Sequence, residues 1–144
     1  MNLKYIGGQK GNEQMMKRTN LLAAIVGLLA LGAVSVLAVD GITKRISFAR
    51  GKSSATVRGA VIRGDADTWI VRAKAEQMMT VSIRSVEDNA VFTVQGPDGE
   101  YLQDAGEEDE ARGVTNSLPY DGDYRIRVSG TRGNATYRLT VSIK

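Results

Sequence analysis

The stretch that decides the fold is "SLPYDGDYRIRVSGTRGNATYRLTVSIK", residues 117–144. Turn-forming residues in "PYDGD" lead into a run in which Tyr124, Ile126 and Val128 alternate with polar neighbours. The "SGTRGN" tip follows, then a second run with Tyr137, Leu139, Val141 and Ile143 on one side. A period of two over several residues is the mark of a β-strand with one buried and one wet face. Two such runs joined by a short Gly-containing tip read as a β-hairpin.

The same period recurs upstream. Ile46 and Phe48 alternate with Arg45 and Ser47, and Val57 and Val61 with Arg58 and Ile62, Gly59 reading as a bulge between them. Trp69, Val71 and Ala73 form a third set, Met79, Val81 and Ile83 a fourth, and Phe92 and Val94 a fifth that ends in a Pro97-Asp98-Gly99 turn. A weaker strand is expected near Val114 to Leu118. Seven to eight short strands separated by turns predict an all-β protein, a jelly-roll-like antiparallel β-sandwich, with no helix after the N-terminal leader. The acidic segment "DAGEEDEARG", 104–113, is expected to be a mobile loop, with the "EEDE" run at 107–110 solvated.

The leader is residues 1–38. Lys17 and Arg18 precede an apolar run from Leu21 to Val34, and Val36-Leu37-Ala38 makes a small-residue cleavage site. That layout predicts a secretory signal peptide, with translation starting at Met15 or Met16, and a periplasmic or secreted domain over 39–144. An uncleaved membrane anchor is the rival reading, because Leu21 to Val39 is almost long enough to span a bilayer. Of the 19 Lys and Arg and 16 Asp and Glu, four bases and one acid precede residue 39, leaving 15 of each sign. The net charge of +3 therefore comes from the leader, and no nucleic-acid partner is expected.

The chain has neither Cys nor His. A disulfide-free exported domain must be held by its core alone. Without His, the Ser-His-Asp and Cys-His nucleophile systems and His-ligated metals are excluded. Paired carboxylates need a cleft of controlled width to cleave sugars, and acids confined to turns supply none, so the domain reads as a binding module without a cofactor. Asp65 and Asp67 in "RGDADTW" and Asp121 and Asp123 in "DGD" are the weak alternative, a calcium site of hard oxygen ligands. "NAT" at 134–136 fits the glycosylation acceptor pattern, which a bacterial leader makes idle.

In the expected hairpin, either short-tip register places Arg138 opposite Arg125 or Arg127. Like charges facing one another across strands are unfavourable by some tenths of a kcal/mol. Either a neighbouring strand supplies Asp or Glu, or these guanidinium groups await an anionic partner. Arg132, on a tip flanked by Gly130 and Gly133, is free to project, while Tyr101 and Tyr120 stand on loops where tyrosine suits an interface.

Four segments carry a resemblance. "RGDADTWIVRAKAEQMMTVSI", "DNAVFTVQGPDGEYL", "LPYDGDYRIRVSG" and "ATYRLTVSI" are similar to the bacterial pre-peptidase C-terminal domain family over about residues 46–143. A narrower resemblance, through "ISFARGKSSATVRGAVIRGDADTWIVRAKAEQMMTVSI" and "SLPYDGDYRIRVSGTRGNATY", is to periplasmic inhibitors of goose-type lysozyme. "GEEDEARG" has no counterpart in that pattern. The resemblance implies a protein partner, a goose-type lysozyme or similar glycosidase, whose cleft is plugged around Arg132 with support from Tyr120. The alternative it leaves open is an adhesion module binding envelope polysaccharide or protein without inhibition.

Overall fold

A computed structural model describes residues 41–144. The leader 1–38 and the start at Met15 or Met16 lie outside the described residues. Eight strands follow one another: β1 (Thr43–Arg45), β2 (Ser54–Val61), β3 (Ala66–Ala73), β4 (Met78–Ser85), β5 (Ala90–Gln95), β6 (Gly113–Ser117), β7 (Gly122–Gly130) and β8 (Ala135–Ile143). They form two four-stranded sheets, ordered β1-β3-β7-β5 and β2-β8-β4-β6. Among the described residues only β1 and β3 run parallel; every other strand pair is antiparallel.

The expected all-β sandwich is what the alternating pattern produces. Trp69, Val71, Met79, Val81, Ile83, Phe92, Val94, Tyr124, Ile126, Val128, Leu139 and Val141 all point inward and are buried. Facing one another, they make one continuous core between the two layers. The first strand differs from the reading of the sequence. β1 stops at Arg45, although Ile46 stays buried and donates its N–H to the Ile70 carbonyl at 2.8 Å.

Gly59 is not a bulge. β2 and β8 keep one register from Ser54↔Ser142 to Val61↔Ala135, with Gly59 opposite Tyr137. A methyl group at Gly59 would meet the Tyr137 hydroxyl and lie 2.5 Å from its Cζ. Glycine is there because the tyrosine ring crosses the strand, not because the strand bends.

The larger correction concerns the last two strands. β7 lies between β3 and β5, and β8 lies between β2 and β4, so they belong to opposite sheets and do not pair. Residues 131–134 cross the sandwich instead of closing a hairpin. Alternation fixes which side chains turn inward but not which strand lies alongside. A four-residue connection spans the roughly 10 Å between layers as readily as it turns within one.

The segment after β5 is likewise more ordered than its charge suggests. Leu102 N–H bonds the Val94 carbonyl, Val94 N–H the Ala105 carbonyl, and Phe92 N–H the Ala111 carbonyl, each at 2.9 Å. Ala105 and Ala111 are buried, and they anchor the acidic residues between them along the β5 edge. A covered edge cannot template pairing with another chain.

Candidate functional site

The 131–134 crossing is built on Asn89, which is 2% exposed. Its Nδ2 donates to the Arg132 carbonyl at 2.5 Å and the Asn134 carbonyl at 2.9 Å, while Thr131 N–H donates to the Asn89 carbonyl at 2.8 Å. Ser85 Oγ in turn accepts the N–H groups of Asn89 and Ala90, fixing that corner. From the other side, Arg63 N–H bonds Asn134 Oδ1 at 2.9 Å. Gly133 takes a left-handed φ of 68° that completes the turn. The tip backbone is thus held at several points while the Arg132 side chain stays exposed and makes no ion pair among the described residues.

The other candidates do not gather around it. Tyr120 precedes β7 and Arg132 follows it; at about 3.3 Å per residue the strand puts roughly 30 Å between them. Tyr120 is half exposed, and its backbone does the local work: Tyr124 Oη donates to the Tyr120 carbonyl at 2.7 Å and accepts its N–H at 3.2 Å. Burial pushes the Tyr124 hydroxyl pKa up. Tyr101 bridges to Gln95 and donates to Glu107 Oε1 at 2.9 Å, so it braces the acidic loop; that bond, chiefly, raises its pKa.

Arg125 and Arg127 lie on the outer face of one sheet, and Arg138 on the outer face of the other. Arg127 stands between Thr68 and Thr93 and lines a polar depression with Gly64, Asp65, Glu107 and Ser129. That depression opens at the same end of β7 as the Arg132 tip. Arg138 faces arginines on both sides, Arg58 on β2 and Arg84 on β4, so the neighbouring strands supply no acid.

The four aspartates have separate tasks. Asp67 is buried, accepting the Tyr137 hydroxyl at 2.5 Å and the Ile42 N–H at 3.1 Å. Asp123 receives both arms of the Arg45 guanidinium, at 2.9 and 2.7 Å, which holds its carboxyl below the usual range. Asp121 accepts the Ala75 N–H at 2.6 Å, and Asp65 lines the Arg127 depression. Among the described residues no three acidic side chains come together as a metal-binding group.

Sequence reasoning missed Asn89, Arg58 and Arg84. Asn89 sits in an ordinary-looking "EDNA" turn, and nothing local shows that its amide will be buried against a chain segment some forty positions away. Arg58 and Arg84 were visible on wet faces of their strands, but their alignment needs the sheet order.

No protein-family model matches the chain, and no curated protein matches it either. Solved structures do. The PliG periplasmic inhibitor of g-type lysozyme from Aeromonas hydrophila is 29% identical with a TM-score of 0.64, the match covering 73% of this chain and 98% of that one. The Salmonella Typhimurium inhibitor of g-type lysozyme is 25% identical with a TM-score of 0.58, over 72% and 99%. The pre-peptidase C-terminal domain of a Bacillus anthracis collagenase shares the fold, with a TM-score of 0.52 at 19% identity over 72% and 96%. The fold is therefore of the pre-peptidase C-terminal type and close to the PliG inhibitors, none of which is an enzyme by its name.

Proposed function

We propose that this domain is a periplasmic inhibitor of a goose-type lysozyme, acting by contact rather than by turnover. The observation that carries the reading is the near-complete overlap with proteins of that kind. The pinned crossing at 131–134 adds a mechanism. A tip whose backbone is already ordered loses little entropy on insertion, and a projecting guanidinium meets a carboxylate with two parallel hydrogen bonds. Arg132 is the wedge in this reading, with Arg127 flanking it at the same end of β7. In this reading Tyr120, at the far end of β7, stands apart from the Arg132 wedge, and Tyr101 braces the loop beside Arg127.

The test is to mix the purified domain with goose-type lysozyme and follow lysis of cell-wall substrate. Inhibition that titrates with the domain, and that Arg132→Ala weakens, is expected. Full lysis at a large excess of folded domain refutes the reading.

A further inference from the structure

We propose that the outer face of the β2-β8-β4-β6 sheet is a second binding surface, separate from the Arg132 tip, for an acidic glycan chain. The observation is a row of three arginines in register. Arg58 is paired with Arg138 across β2 and β8, and Arg138 with Arg84 across β8 and β4. Neighbouring strands lie about 4.8 Å apart, so three arginine side chains leave the sheet side by side along a line that crosses the strands.

Such a row costs stability unless something neutralises it, because directly opposed like charges repel. Nothing in the described structure does so. The ion pairs among the described residues are Arg45 and Arg72 with Asp123, and Arg112 with Asp88, and none involves the row. The outward positions of the three strands are Ser54, Thr56, Arg58 and Ala60; Met78, Thr80, Ser82 and Arg84; and Thr136, Arg138, Thr140 and Ser142, without one carboxylate. The Glu87 carboxylate, two residues past β4, accepts the Thr136 N–H at 2.9 Å and forms no ion pair with the row.

What surrounds the row selects the occupant. Next to it runs a line of hydroxyls: Thr56 is paired with Thr140, their Oγ atoms 3.0 Å apart, and Ser82 follows on β4. Arg58, Arg84 and Arg138 share one shallow depression with these three. Guanidinium forks grip carboxylate, sulfate or phosphate groups. Hydroxyls that both donate and accept match the hydroxyls of a sugar. A membrane surface would ask for apolar side chains to insert; the exposed ones stand at the strand ends, Met78 and Val86 at those of β4 and Ile62 just past β2, while the arginines themselves are flanked by Thr56, Thr140 and Ser82. A protein hot spot would ask for aromatic anchors, and this face has none.

The experiment titrates the intact domain with a fluorescently labelled oligogalacturonate, a neutral dextran oligomer and phosphatidylglycerol vesicles, at low and physiological salt. The expected result is binding of the acidic oligomer that weakens with salt, none of dextran, and a loss of about tenfold in Arg58→Gln/Arg84→Gln, each charge-assisted contact being worth a few-fold or more at an exposed site. The variant should melt no lower than the parent, since it relieves repulsion, and should still inhibit goose-type lysozyme if the parent does. Absence of binding by the parent, unchanged binding by the folded variant, or arginine-dependent binding of vesicles but not of the glycan each overturns the proposal. Because Arg132 is untouched, failure here and failure of the inhibitor reading are told apart by the lysis assay.

Discussion

The Trp69 indole donates its Nε1 hydrogen to the Tyr137 hydroxyl at 2.7 Å, joining β3 of one sheet to β8 of the other through the core. The Tyr137 hydroxyl in turn donates a hydrogen bond to Asp67 Oδ2 at 2.5 Å, and Asp67 Oδ1 accepts the Ile42 N–H just before β1. One polar chain thus fastens both layers and the segment that leads into β1. Trp69, Tyr137 and Asp67 are all buried, which makes the links among them strong and an orphaned partner costly.

Tyr137→Phe keeps the ring and removes the link. It leaves the Trp69 N–H and one Asp67 oxygen without partners in a buried setting, a loss of about 1–3 kcal/mol. Urea unfolding of the two proteins measures it as a lower midpoint with an unchanged slope. A midpoint within error of the parent would show that the link contributes nothing net.

Alkali should unfold the domain through the same tyrosine. Burial first, and the bond to Asp67 second, raise the Tyr137 pKa far above the ordinary value of about 10. Below about pH 10 both folded and unfolded tyrosine keep the proton, so its contribution is fully present. Above that the unfolded chain loses the proton while the folded one keeps it, and stability falls by at most about 1.4 kcal/mol per pH unit. Urea midpoints taken from neutral pH upward should drop beyond pH 10, and less steeply in Tyr137→Phe.

Gly59→Ala tests the close approach of the ring. The added methyl would sit 2.5 Å from Tyr137 Cζ, and the ring cannot move without giving up its bonds to Trp69 and Asp67. We expect a loss of about 1–3 kcal/mol, the usual range for overpacking. In a double-mutant cycle with Tyr137→Ala, which removes the ring, the two losses should fall short of adding. Simple additivity would mean that the methyl clashes with something else.

Asn89→Ala should loosen the tip at a distance from any partner. It deletes the amide that holds the Arg132 and Asn134 carbonyls, costing about 1–3 kcal/mol for groups that lose a buried partner. On the proposed inhibitor reading, Asn89→Ala weakens lysozyme inhibition with Arg132 still present, and faster dissociation is the expected kinetic sign. Arg132→Ala should weaken inhibition without lowering the melting temperature. If both variants inhibit like the parent, the tip is not the contact.

Much of the molecule is legible in the order of its residues. The inward sets Trp69-Val71-Ala73, Met79-Val81-Ile83, Tyr124-Ile126-Val128 and Tyr137-Leu139-Val141 follow from period two alone, because a pleated strand throws successive side chains to opposite faces. The lack of His and Cys closed off whole classes of chemistry before any fold was known. Arg132 as an exposed tip residue was also readable, since a glycine on each side leaves the chain little but a turn.

What the sequence could not supply is who lies beside whom. Alternation is the same whether β7 and β8 pair or face each other across the core, and only the complete packing of eight strands chose the second. That choice moved Arg138 away from Arg125 and Arg127 and set it between Arg58 and Arg84, residues 80 and 54 positions away along the chain. It also turned Gly59 from a bend into a socket for Tyr137 and buried Asn89 beneath the tip. Local pattern determined the faces of the strands because face is a property of one chain's geometry; neighbours were decided by tertiary structure because lateral contact depends on every strand competing for the same core.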